Sequence, residues 1–181
     1  MSEMLSEHFS VYEFEFSEVA QAKKITNKMN TSEKSMAQHT AVYLLENIRK
    51  QLNLKYASNK VKCVSIRITS GFRGSALNKA VNGAVNSQHC KAQATDIEAT
   101  IVYKDGTRHV IPYNELYESI KSLTQQKKLY IDQCIQEASY NSKTKTWAYW
   151  VHVSLCSQLR DCRYEFLKYK NGVYTLDCKI K

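Results

Sequence analysis

The amino-acid sequence predicts an α+β fold in which helices pack on a small, mainly antiparallel sheet. Helical patterns dominate the first third of the 181 residues, and strand patterns dominate the rest. Two turn signals, Asp105-Gly106 and Asn171-Gly172, are typical of hairpins between antiparallel strands. A doubly wound parallel sheet would instead show helices and strands in regular alternation. We therefore expect an antiparallel sheet covered by helices.

Three segments have the apolar spacing or end signals of helices. A short helix is expected at Ser17–Lys24, because the hydroxyl of Ser17 can cap its first turn. A long helix is expected at Ser32–Leu52, or from one residue later, and a third at about Asn114–Leu123. In the long helix one face is apolar, formed by Met36, Val42, Leu44, Leu45, Ile48 and Leu52.

Strand patterns follow the long helix. The segment Val61–Ile68 alternates β-branched and polar residues as a half-buried strand does, and it ends at Ser70-Gly71. A second strand at Asp96–Tyr103 leads through Asp105-Gly106 into a third strand near Val110. The remaining candidates are Leu129–Ile135, Tyr149–Leu155 and a C-terminal hairpin at about 163–180.

Composition and charge limit the function classes. The hydrophobic share of 43% and the charged share of 24% are ordinary for one soluble domain, expected to span residues 1–181 and to act as a monomer. No apolar run is long enough to predict contact with a membrane as an integral protein. The net charge of +9 favours an anionic partner, but the lysines are scattered, so nucleic acid is not the expected one. Residues 1–10 lack a secretory signal, which predicts synthesis in the cytoplasm.

Six cysteines are scattered through the chain without a CxxC pair. This spacing predicts neither a zinc ribbon nor a redox dithiol. In a chain without a secretory signal we expect reduced, buried thiols that pack as small hydrophobic residues. The six are Cys63, Cys90, Cys134, Cys156, Cys162 and Cys178.

Three residues form a candidate metal site. His89 and Asp96 lie seven residues apart with small side chains between them, and a third ligand is available at His152 in an alternating strand. Two imidazoles and one carboxylate suit Zn²⁺ and leave a fourth position for water, as in hydrolytic sites. The spacing alone is a weak signal, because a lone histidine in a strand is more often structural than a ligand.

These residues belong to a longer ordered pattern. It reads Ser87-Gln88-His89, then Ala92, then Ala94-Thr95-Asp96, and later Trp150-Val151-His152. The pattern resembles the zinc D-alanyl-D-alanine carboxypeptidases and the related L-alanyl-D-glutamate peptidases of phage endolysins. Together with the segments SGFRGSALNKAVNG and IDQCIQE, the resemblance covers roughly residues 5 to 155. It implies the hedgehog-like fold of these carboxypeptidases and zinc as cofactor.

The resemblance also implies roles for single residues. His89, Asp96 and His152 are the expected zinc ligands, and Arg73 is the expected substrate-binding and catalytic arginine. A guanidinium group can hold a peptide carbonyl or carboxylate and stabilise the oxyanion that forms on attack. Ser87 and Gln88 are expected to bind substrate or to orient the site, although polar turn residues would look the same.

The general base is less clear from the sequence. Many relatives place an acid three residues before the last histidine, where this chain has Tyr149. In the most similar branch an acid follows an upstream strand, and Glu137 matches it. A symmetric hairpin would leave Glu137 a few residues short of the metal, so an asymmetric loop is expected. Glu98 and Asp132 are the alternative bases.

Two further residues near His89 depart from expectation. Ala92 stands where the related enzymes have glycine, which is harmless if its φ is negative and strained if its φ is positive. Cys90 is a potential soft zinc ligand. Its position next to His89 makes simultaneous binding awkward, so it is left out of the expected site.

The expected function is zinc-assisted hydrolysis of peptidoglycan stem peptides by a cell-wall lytic enzyme of a phage or a bacterium. The sequence leaves open the bond cut and whether cleavage is terminal or internal. Such an enzyme would act at the bacterial cell wall, after release into host cytoplasm or from a virion. The alternatives are a zinc-stabilised wall-binding or virion module without turnover, motivated by Tyr149, and a basic DNA-binding domain.

Overall fold

The computed structural model describes residues 3–142, 144–170 and 172–180 and has the predicted α+β architecture. Seven strands form one sheet, and helices from the N-terminal part and from the middle of the chain cover it. The helices are α1 (Val11–Glu15), α2 (Glu18–Ala22), α3 (Thr31–Thr40), α4 (Glu46–Lys55), α5 (Ser75–Ala80) and α6 (Tyr113–Gln125). The strands are β1 (Val61–Ser70), β2 (Ala94–Tyr103), β3 (Arg108–Val110), β4 (Gln133–Asn141), β5 (Thr146–Ser154), β6 (Glu165–Lys170) and β7 (Val173–Lys179).

The predicted long helix is present as one continuous helical stretch with a π-helical turn. It begins at Thr31, where Asn30 and Glu33 form a capping box. The π-helical turn Ala41–Leu45 joins α3 to α4. Thr40, which precedes this turn, is buried and donates its hydroxyl hydrogen bond to a loop that is part of the candidate site. The short α2 begins after its predicted cap, Ser17.

The sheet has the strand order β1-β2-β5-β4-β6-β7, with β3 paired to β2. All neighbours are antiparallel except β4 and β6, so the sheet is mixed but mainly antiparallel. Alternate residues point to opposite faces. One face packs on α4 and α6 and forms the apolar core, while the opposite face carries the candidate site. Core residues from neighbouring strands include Val64, Ile97, Val151, Val153 and Phe166.

Some predicted bounds were wrong. The expected strand at Leu129–Ile135 is instead β4, which begins at Gln133 and extends to Asn141. Leu129 and Ile131 are buried as predicted for apolar residues, but they lie in the connection after α6, so burial rather than pairing explains them. The third helix begins at Tyr113, with Pro112 at its N-cap position.

The expectation that all six cysteines are reduced, buried thiols was wrong. Cys156 and Cys162 form a disulfide across a short loop. The loop contains the 3₁₀ turn Leu159–Asp161, which reverses the chain and brings the two cysteines together. Of the four free cysteines only Cys134 is buried. Local spacing does not reveal such a pair, because the turn that closes it is set by the surrounding packing.

The C-terminal residues form an antiparallel pair of strands, β6 and β7, which extends the sheet beyond β4. Asn171 of the predicted turn lies outside the described residues, and Gly172 has the positive φ that the turn requires. Across the described ranges, no helix is both long and apolar enough to cross a membrane.

Candidate zinc centre

His89 is held by a short turn just before β2. It lies in the 3₁₀ turn Gln88–Lys91, where the hydroxyl of Ser87 accepts a hydrogen bond from the His89 amide at 3.3 Å. The Nδ1 atom of His89 is 2.7 Å from the carbonyl oxygen of Gly71. Since a carbonyl oxygen only accepts, Nδ1 carries the proton, and Nε2 is left with a free lone pair.

Asp96 and His152 are neighbours across the sheet. They are directly paired between β2 and β5, so both side chains lie on the site face. His152 is flanked by Val151 and Val153, which point into the core on the opposite face. The alternating pattern predicted this orientation from the sequence.

The three side chains converge on one point. His89 Nε2 lies 3.2 Å from His152 Nδ1, and Asp96 Oδ1 lies 3.1 Å from His152 Nδ1 and 3.3 Å from His89 Nε2. Ligands of a tetrahedral zinc ion, each about 2.0–2.1 Å from it, are about 3.3 Å apart. The observed separations therefore fit one Zn²⁺. Among the described residues, these three form a cluster of histidine and acidic side chains that could hold a metal.

Electrostatics of the buried triad favour a cation. Burial raises the pKa of Asp96, but the adjacent His89 and His152 lower it by more than burial raises it. The pKa is therefore held well below its usual value. His152 Nε2 is buried, and no described residue gives it a hydrogen bond. If Nε2 carries the proton, the lone pair of Nδ1 faces those of His89 and Asp96. A metal cation at this point would accept all three lone pairs and remove their mutual repulsion.

Ala92 has a positive φ, which is the strained one of the two conformations that the sequence allowed. Its φ of 54° and ψ of 21° lie in the left-handed region, where a β-carbon is unfavourable. The amide of Ala92 donates to the His89 carbonyl at 3.2 Å, and its carbonyl accepts from Thr40 Oγ1 at 2.9 Å. The residue is fully buried, so these contacts hold the conformation next to the ligand turn.

Arg73 is fixed directly against the metal carboxylate. Its Nη2 donates to Asp96 Oδ2 at 2.7 Å and its Nε donates to Ser70 Oγ at 3.0 Å. Asp96 thus presents Oδ1 to the metal position and Oδ2 to Arg73. The guanidinium also lines an open cleft of about 740 Å³ between the N-terminal helices and the sheet, together with Arg67 and Trp150.

Comparison with known proteins agrees with this geometry. A family model described as peptidase M15 matches residues 7–111, which include His89 and Asp96. The chain belongs to the peptidase M15 family. These peptidases are zinc-dependent, so this protein is a zinc-dependent peptidase whose expected ligand set fits the observed triad. No curated protein matches the chain.

Glu137 lies on the site face of this M15 peptidase. It pairs with Trp150, which is two residues before His152 on β5. The β4–β5 hairpin keeps a constant register, with Ile135 opposite His152 and Glu137 opposite Trp150. The expected asymmetric loop is therefore not needed, because diagonal neighbours on one face are within reach of long side chains. Burial raises the pKa of Glu137 to about 7, with Asp96 adding to the rise and His152, Arg73 and a hydrogen bond from Trp150 opposing it.

Tyr149 occupies the position of the missing acid but faces away from the metal. It lies three residues before His152, so alternation places it on the opposite face of the sheet. Its ring stacks on Tyr113 at a centroid distance of 4.5 Å. Tyr149 therefore takes no part in the zinc centre.

The other predicted polar residues have partners away from the triad. Asp132 is buried and accepts from the guanidinium of Arg163 with both oxygens. Burial raises the pKa of Asp132, but its hydrogen bonds with Arg163 lower that pKa below its usual value. Gln88 donates to Asp132 at 2.7 Å instead of pointing to the metal, and Glu98 pairs with Arg67 at 2.6 Å. The structure thus groups only Glu137 with the triad among the three candidate bases. Cys90 is half-buried and outside the metal group.

Sequence reasoning missed three contributors. The Gly71 carbonyl sets the protonation of His89, Trp150 hydrogen-bonds to Glu137, and Tyr174 lies within electrostatic reach of Glu137. The Trp-x-His spacing was a usable signal for Trp150, since it puts that residue on the face of His152. No local pattern identifies the other two, because their proximity depends on strands far apart in sequence.

Proposed function

We propose that this zinc peptidase cleaves amide bonds in the stem peptides of bacterial peptidoglycan and acts at the bacterial cell wall as a lytic enzyme of a phage or a bacterium. The observation that carries the proposal is the open cleft beside the triad, where the guanidinium of Arg73 is fixed next to the metal position by Asp96. Stem peptides carry free carboxylates, which guanidinium groups bind in a forked geometry. The net charge of +9 supports approach to an anionic polymer.

The ligand set would hold zinc through His89 Nε2, Asp96 Oδ1 and His152 Nδ1. When bound, zinc supplies Lewis acidity that polarises an amide carbonyl and activates water. Glu137 accepts a proton from the attacking water on a carboxylate oxygen and passes it to the nitrogen of the leaving amine. Its pKa near 7 suits both halves of this transfer at neutral pH.

Arg73 serves the developing negative charge. Nε and Nη2 are engaged by Ser70 and Asp96, so the guanidinium is fixed in position. The remaining N–H groups are donors for the carbonyl oxygen of the substrate, which becomes an oxyanion during attack. A donor that is already oriented costs no reorganisation at that moment. Trp150 orients Glu137 by its hydrogen bond.

Mass spectrometry of muropeptides tests the proposal. Purified zinc-loaded protein is incubated with isolated peptidoglycan, and the products are analysed for new free amines and for the bond that was cut. The masses separate removal of a terminal D-alanine from internal cleavage between L-alanine and D-glutamate. New amines released by the wild type and lost in His152→Ala support the proposal.

The matched variants are Glu137→Gln and Glu118→Gln. Glu118 is an exposed acid on α6, away from the site. We expect Glu137→Gln to lower kcat about 10²- to 10⁴-fold while zinc stays bound, and Glu118→Gln to behave as wild type. Protein that pellets with the wall but releases no amine would contradict the proposal and favour a wall-binding module.

A further inference from the structure

The C-terminal hairpin places aromatic side chains on the same face as the zinc centre. Glu137 on β4 pairs with Tyr169 on β6, and Tyr169 pairs with Tyr174 on β7. Directly paired residues point to the same side of a sheet. Tyr169 and Tyr174 therefore continue the row that begins with Trp150 and Glu137.

A second row runs parallel to the first. Ile135 lies opposite His152, and it is followed by Leu167 on β6 and Leu176 on β7. Leu176 and Tyr174 are more than half exposed, at 58% and 57%. Exposed apolar side chains that cluster next to a catalytic centre mark a binding surface more often than isolated ones do. We name this surface the hairpin ledge, formed by Leu167, Tyr169, Tyr174 and Leu176.

Tyr174 lies on the site face within electrostatic reach of the catalytic groups. Burial by neighbouring atoms raises the pKa of its phenol, and the charges of Glu137 and Asp96 raise it further, while Arg73 opposes them. Three strands lie between β7 and β2, the strand that carries Asp96. The ring is also held against Tyr169, with centroids 4.5 Å apart.

The ledge and the cleft that contains Arg73 lie on opposite sides of the triad. In the strand order, β1 with Arg67 is at one edge, β2 and β5 with the ligands lie next, and β6 and β7 form the other edge. One side therefore presents charged side chains, among them the pairs Arg67–Glu98 and Arg73–Asp96, and the other presents two tyrosines and two leucines. A peptide that crosses the metal would meet these two chemistries on the two sides of its scissile bond.

We propose that the hairpin ledge is a substrate subsite, which holds an uncharged, apolar part of the peptide on the side of the scissile bond opposite the cleft that contains Arg73. This assignment rests on the proposed peptidase function and adds to it the side chains that determine specificity. Tyr174 is the central residue of the subsite, because it lies in the same cross-strand row as Glu137 and its ring packs on Tyr169, which pairs with both. The contribution comes from the face of the ring, so the hydroxyl is dispensable.

Kinetics on purified muropeptides test the subsite with three variants. Tyr174→Ala removes the ring, Tyr174→Phe keeps it, and Val173→Ala changes a neighbour that is 62% exposed and points to the opposite face. We expect kcat/KM to fall about tenfold in Tyr174→Ala, mainly through KM, and to stay within about twofold in the other two. An unchanged value in Tyr174→Ala, or an equal loss in Tyr174→Phe, would overturn the proposal.

A binding measurement decides the matter without turnover. Isothermal titration calorimetry of the zinc-loaded protein compares benzohydroxamate with acetohydroxamate, two chelators that differ in a phenyl and a methyl group. We expect the wild type and Val173→Ala to prefer benzohydroxamate by roughly tenfold, and Tyr174→Ala to lose this preference. If the ratio of the two affinities were the same in all three proteins, the proposal that the ledge is a subsite would be refuted. If the wild type released no wall amine, the proposed function would fail while this titration still judged the ledge.

Discussion

Burial is the largest influence on Glu137, whose side chain lies against Trp150 on the site face. Removing a carboxylate from water disfavours its charged form, and Asp96 adds a second negative charge nearby. The influence of His152 and Arg73 and the hydrogen bond from Trp150 offset only part of this effect. The resulting pKa of about 7 is far above the ordinary value of 4.5, which makes Glu137 the residue of the site best suited to exchange protons at neutral pH.

This environment predicts the pH dependence of catalysis. The base must be deprotonated to accept a proton, so kcat/KM should rise with pH and level off above the pKa of Glu137. Zinc brings positive charge that lowers that pKa, so the acid limb should fall at or somewhat below pH 7. A pH–rate profile measures this, and the limb should vanish from the residual activity of Glu137→Gln. A limb that persists in that variant would assign the titration to another group.

The same shift predicts how stability depends on pH in the zinc-free protein. The folded pKa lies above the unfolded one, so the folded state binds more protons between about pH 4.5 and pH 7. The free energy of unfolding should therefore fall as pH rises through this window, and the contribution is fully present only below it. Glu137→Gln should show a flatter profile in urea titrations and should be more stable than the wild type at pH 8. An identical profile would mean that Glu137 titrates normally.

Ala92 predicts a stabilising substitution. Its positive φ costs an L-residue about 1–2 kcal/mol, and glycine avoids this cost. Part of the gain is offset because glycine has more freedom in the unfolded chain. We expect Ala92→Gly to raise the free energy of unfolding by about 0.5–1 kcal/mol in urea titrations. Ala94→Gly, two residues away in the buried strand β2, should instead destabilise, and equal losses in both variants would contradict the strain.

At the scale of elements, the β4–β5 hairpin determines which acid reaches the metal. Its register is constant from Cys134 to Asn141, so every second residue of β4 faces the site. This alternation places Glu137 beside Trp150. A shift of one residue would turn Glu137 to the helix-covered face and bring Gln136 in its place. The identity of the base is therefore a property of the pairing and not of the local sequence around Glu137.

The disulfide is a second feature at this scale. Cys156–Cys162 closes a short loop next to Arg163, whose guanidinium holds Asp132 and through it Gln88. Loop-closure entropy predicts a contribution of about 2 kcal/mol for a loop of this length. We expect the Cys156→Ser, Cys162→Ser double variant to lose that amount in urea titrations without reductant.

The matched control for the disulfide is Cys63→Ser, a half-buried free thiol on β1. It should change stability by less than about 1 kcal/mol. Adding a reductant should lower the stability of the wild type to that of the double variant. A wild type that is indifferent to reductant would show that the bond does not form in solution.

For the whole molecule, zinc connects parts of the chain that are distant in sequence. His89 comes from the turn after α5, Asp96 from β2 and His152 from β5. An ion that binds the folded state alone stabilises it by mass action, by about 2.7 kcal/mol at a concentration 100 times its Kd. The melting temperature of metal-free protein should therefore rise by several degrees when zinc is added.

Two histidine variants check this linkage. His152→Ala removes a ligand and should abolish the rise, whereas His109→Ala, at an exposed position on β3, should keep it. Zinc content measured by mass spectrometry of the intact proteins should follow the same order. An equal rise in His152→Ala would place the stabilising ion elsewhere.

Features that depend on local residue patterns were predictable from the amino-acid sequence. Alternation around His152 predicted which way its side chain points, and the hairpin signals predicted an antiparallel sheet. The ordered motif from Ser87 to Asp96 predicted two ligands of a group that the fold brings together with the third. These features are readable because period and turn chemistry act over a few residues.

Other features of the site depend on how distant segments pack in the folded protein. The register of β4 on β5 places Glu137 near the metal, packing of the loop brings Cys156 to Cys162, and contacts with Thr40 hold Ala92 in its left-handed conformation. Tyr174 comes close to the site only because β7 is added at the far edge of the sheet. Each of these depends on contacts between segments that are far apart in the chain or on how a loop packs, and local residue patterns carry no record of such contacts.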